Sequence, residues 1–187
     1  LPYTIQNYLA DQINVGKIST ESPEFDQAEK AALEKEQRLM NIKGTKTVDY
    51  FHKKLGRVMW EHVGMARSKE SLTTALRLIG EIEADFWKDV RVPGTIEEMS
   101  PELEKAYRLV DYFELAKLIA TDALHREESC GGHFRTEHQT DDGETMRDDE
   151  RFMYVGAWEY QGAGKPEALH KEELKYEYVN IAKRNYK

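Results

Sequence analysis

Between Ser22 and Glu127 almost every apolar residue falls on a helical period, and helix-start signals punctuate the run. Ser22-Pro23-Glu24 and Ser100-Pro101-Glu102 each place a Ser N-cap before a Pro at the first helical position and an acid in the first turn. Thr47 and Ser68 open two further segments. Phe25, Ala28, Ala32, Leu39 and Ile42 share one face of the first, which Gly44 closes. Val48, Phe51, Leu55, Val58 and Val63 mark the second, ending between Gly64 and Arg67. Leu72, Ala75, Ile79, Ile82, Phe86 and Val90 mark the third, stopped by Val92-Pro93-Gly94. The segment from Glu102 to about Glu127 is the longest and most apolar. Leu103, Tyr107, Val110, Phe113, Ala116, Ala120 and Ala123 lie on one side of it, and Leu109, Tyr112, Leu115 and Ile119 widen that side well beyond a stripe. A helix apolar over so much of its girth is expected to be central.

The flanks read differently. Ile5, Tyr8, Leu9 and Ile13 give residues 4–14 a short amphipathic helix starting at Thr4, whose stripe needs a partner. Residues 136–150 are acidic and turn-rich. Arg151 to Tyr160, with Phe152, Tyr154 and Trp158, reads as a strand. Residues 161–166 read as a turn, and Leu174, Tyr176 and Tyr178 alternate with charges as a second strand. Short loops at 43–46 and 64–68 favour antiparallel neighbours. The expected fold is therefore mainly α: an up-and-down helical bundle of three long helices plus a short N-terminal helix, followed by a C-terminal β-hairpin. Expected boundaries are 1–21 for the first helix and linker, 22–137 for the bundle, and 138–187 for the acidic turn and hairpin.

Net charge −8 argues against a nucleic-acid groove, which needs a basic face. The single Cys130 rules out an intrachain disulfide and points to a reducing compartment. No apolar run approaches the ~20 residues of a membrane span. The chain opens Leu-Pro-Tyr-Thr-Ile in a helix-like pattern without Met, which reads as a piece of a longer chain.

Chemistry-bearing residues gather around Gly131 and Gly132, read as stopping the long helix. His125, Cys130, His133 and His138 have zinc-like content, but a zinc hook usually brings more than one thiolate. Capping and hydrogen bonding at a helix end is the plainer reading. Cys130 beside a helix C-terminus and Glu127/Glu128 is poorly placed to ionise as a nucleophile. Gly162-Ala163-Gly164-Lys165-Pro166 lacks the earlier Gly and the Ser/Thr of a phosphate loop and reads as a hairpin turn. His52 and His62 read as packed histidines, Glu81/Glu83 and Asp148/Asp149 as solvated surface, and Trp60, Trp87 and Trp158 as core or interface anchors. No catalytic, cofactor-binding or metal residue is assigned.

Arg126-Glu-Glu-Ser129-Cys130-Gly131-Gly132-His133-Phe134-Arg135 resembles the R-x-E-S-R-G-x-H-x-R stretch of succinate dehydrogenase and fumarate reductase flavoprotein subunits, shared by the related L-aspartate oxidases. Leu55 to Trp60 is similar to that family's L-x-x-x-M-W/Q bundle segment. The resemblance covers essentially the whole chain and implies the C-terminal helical domain of such a subunit. Arg126, Ser129, Gly131, His133 and Arg135 match and would keep the family's structural or interface contacts; Cys130 replaces an Arg, whose role is not carried over. FAD, the capping domain and the catalytic residues would lie upstream, so no cofactor is expected in residues 1–187. Residues 1–21 would lead out of the flavin domain. The implied partners are those upstream domains and an iron–sulfur subunit, in a membrane-anchored complex peripheral to the membrane on the cytoplasmic side. An independent helical interaction module without a redox role is the competing reading.

Overall fold

The computed structural model describes residues 1–98, 100–162 and 164–182. It divides into two compact units, residues 1–38 and 39–187. The first holds α1 (Pro2–Gln12) and most of α2 (Pro23–Asn41). The N-terminal helix starts two residues earlier than the Thr4 signal suggests, because Pro2 occupies the first turn with Leu1 as N-cap. Tyr3, Ile5, Tyr8, Leu9 and Ile13 are all exposed.

The second unit carries the core. Its bundle is three long helices, α3 (Val48–His62), α4 (Lys69–Asp89) and α5 (Pro101–His125). The last turn of α2, a fourth long helix, adds Leu39 and Met40 to the core. The start signals act as side-chain caps: the Thr47, Ser68 and Ser100 hydroxyls accept from the main-chain N–H of Tyr50, Ser71 and Leu103. Phe86 sits at the centre, 5.5 Å from both Phe51 and Phe113, in the edge-on and tilted geometries that aromatic rings prefer. Ala116, Ala120 and Ala123 let α5 lie close to its neighbours. The helix is not fully enclosed, however. Within the bundle it packs on α3 and α4, and Tyr112, Leu115 and Ile119 remain exposed.

A clasp unforeseen in the sequence joins the start of α3 to the end of α4. Strands β1 (Lys46–Thr47) and β2 (Val90–Arg91) pair in parallel. Lys46 Nζ lies 2.9 Å from Asp89 Oδ2, and Thr45 donates to Asp89 from both its N–H and its hydroxyl. Hydrogen bonds from Lys46 first, then Thr45, bring the Asp89 carboxyl down to about 2. Gly44 packs flat on the Asp89 main chain, where a Cβ would overlap it.

After α5 come a short helix α6 (Asp149–Phe152) and an antiparallel hairpin of β3 (Tyr154–Glu159) and β4 (Ala168–Glu173), with Tyr154 opposite Glu173. Two expectations are corrected here. Asp148 caps a helical turn through the N–H of Arg151, so the strand begins at Tyr154 rather than Arg151. The second strand is 168–173, and Leu174, Tyr176 and Tyr178 lie beyond it. The intervening turn, with Gly162 and Gly164 at positive φ, fixes which run pairs with β3. Ala163, named with that turn, lies outside the described residues. Among the described residues no helix is long and apolar enough to cross a membrane.

Candidate functional site

Helix α5 ends at His125, and Arg126 is its C-cap. The paired glycines therefore do not stop it. Cys130 and His133 instead exchange two main-chain hydrogen bonds, of 2.9 and 3.0 Å, across a tight turn, with Gly131 at φ +59°, the position where such hairpin turns take Gly.

This turn folds the motif back on the helix end. The Arg135 side chain is 1% exposed. Its Nη1 donates to the carbonyls of Ala123 (2.9 Å), Leu124 (3.2 Å) and Arg126 (3.4 Å). These are terminal carbonyls that a helix cannot satisfy internally, and a buried cation at the negative end of the helix dipole is well placed. On its other side Arg135 donates from Nε and Nη2 to Glu137 Oε1, which also accepts the Lys69 N–H at the start of α4. Burial pushes the Glu137 carboxyl up, but the hydrogen bonds from Arg135 and the main chain outweigh it and hold the group at about 2.

The buried Ser129 hydroxyl accepts from the Arg135 N–H at 2.9 Å and donates to the Arg135 carbonyl at 3.1 Å, closing the loop that carries the guanidinium. His133 Nε2 lies 2.8 Å from the Arg126 carbonyl; a carbonyl only accepts, so Nε2 carries the proton. Burial lowers the His133 pKa, and Arg67, Arg135 and Arg126 push the same way, against the hydrogen bond to Arg126. Arg126 reaches the hairpin, donating to the carbonyls of Phe152 (3.1 Å) and Tyr154 (3.0 Å). Glu128, nearly fully buried, bridges Arg126 at 2.8 Å and the Asp148 N–H at 2.9 Å. Phe134 and Thr136 pair with Arg67 in the α3–α4 connection.

The structure thus gathers Arg126, Ser129, His133 and Arg135 into one polar knot joining the α5 terminus, the α4 start and the hairpin. Glu128 and Glu137 complete it; the sequence marked Glu128 only as an acid near Cys130, and Glu137 not at all. An acid two residues from each arginine was the available signal. The other histidines go elsewhere: His125 Nε2 meets the Tyr154 hydroxyl at 2.8 Å, and His52 tilts against Tyr112. Cys130 is exposed. Among the described residues no three His, Cys, Asp or Glu side chains are grouped to hold a metal ion. Trp158 donates to Asp122 Oδ1 at 2.8 Å, anchoring the hairpin to α5; Trp87 packs at the core edge. Trp60, by contrast, is 84% exposed.

Residues 52–186 match the family described as fumarate reductase flavoprotein C-term. The chain belongs to that family. Its motif knot, α4, α5 and all but the first turn of α3 fall within the matched span, and it is a C-terminal domain of the succinate dehydrogenase/fumarate reductase flavoprotein kind. The fumarate reductase flavoprotein subunit of Helicobacter pylori is 33% identical over 115 residues, 62% of this chain and 15% of that protein. The chloroplastic L-aspartate oxidase of Arabidopsis thaliana is 40% identical over 85 residues, 46% of this chain and 13% of that protein. The chain thus spans about a seventh of the length of these curated relatives. Among solved structures, a mutant FrdA of E. coli quinol fumarate reductase superposes with a TM-score of 0.74 at 23% identity, covering 91% of this chain and 28% of that one. That likeness shows the shared fold.

Proposed function

We propose that the intact protein is a FAD-dependent flavoprotein subunit that interconverts succinate and fumarate. In it this chain acts as a brace: it steadies the flavin domain and helps dock an iron–sulfur subunit. The supporting observation is that the family motif is built into an internally satisfied knot. Arg126, Ser129, His133 and Arg135 direct their polar atoms to main-chain groups and to Glu128 and Glu137. Such a knot supports a rigid scaffold better than a reacting centre. Hydride exchange between a dicarboxylate and a flavin needs a preorganised cationic pocket, and the reading assigns that pocket and the FAD to the upstream domains. The complex would sit at the cytoplasmic face of a membrane through its other subunits.

The test is the intact flavoprotein with and without residues 39–187. The full form should bind FAD, turn over succinate or fumarate, and co-purify with the iron–sulfur subunit. Deletion should abolish subunit association and weaken flavin retention. Unchanged association and flavin content on deletion would refute the bracing role.

A further inference from the structure

We draw no further inference here: the strongest candidate, the open apolar groove between α3 and α5 lined by Met59, Tyr112 and Leu115, has charges of both signs one turn from its walls, and nothing in the structure shows what covers it.

Discussion

Replacing Arg135 by Met keeps most of the side-chain volume and removes the cation that terminates α5. The Arg126 carbonyl would keep its hydrogen bond from His133. The Ala123 and Leu124 carbonyls receive theirs from Arg135 and would be left unpaired. Each buried carbonyl so exposed costs about 1–3 kcal/mol, and losing a cation at a helix C-terminus adds about 0.3–1 kcal/mol. The pair with Glu137 adds little, because that carboxylate is 35% exposed and screened. The sum is about 4 kcal/mol, most of it from the two unpaired carbonyls. A domain of this size is stable by only about 5–15 kcal/mol, so the variant should be folded but close to its limit. Arg135→Lys keeps the charge but not the fork and should lose roughly half as much. Urea unfolding followed by helical circular dichroism at 222 nm reads both, with the slope unchanged. A Met variant within about 1 kcal/mol of the parent would show that water satisfies those carbonyls equally well, and the reasoning would fail.

Stability should also depend on acid through the knot. The Glu137 carboxyl is held at about 2 against ~4.3 in an unfolded chain. The unfolded state therefore takes up its proton first, and the stabilisation, complete above about pH 4.3, is lost as pH falls toward 2. His133, also held low, adds a loss beginning below about pH 6.5. Glu137→Gln and His133→Gln should each flatten the stability–pH curve in its own window; an unchanged curve refutes the assignment. At the turn, Gly131→Ala should cost about 1 kcal/mol because φ is +59° there, whereas Gly132→Ala, with nothing within 4 Å of its Cβ, should stay within about 0.5 kcal/mol on a surface site. Equal losses at the two positions would contradict the turn geometry.

The bundle was legible because its signals are local. A hydroxyl before an amphipathic run caps the helix three residues on, as at Ser68 and Ser100. The hairpin was half legible: alternation marks residues able to pair, but the geometry of the turn after Tyr160 selects 168–173 rather than the greasier run at Leu174 to Tyr178. The knot's members were visible as a motif, but their partners were not. Arg135 terminates a helix that ended ten residues earlier, and Glu128 reaches Asp148 twenty residues on. The clasp between Thr45–Lys46 and Asp89 has no sequence signature either, because two-residue strands carry no periodicity.

Isolated helices melt from their tips. The α3–α4 pair has both tips fastened: one by its own short parallel strands, the other by residues 134–136 arriving from beyond α5. Fraying is blocked where it ordinarily begins. These two helices should then open only together with the core around Phe86, and amide exchange at the fastened ends of α3 and α4 should be slow for helix termini.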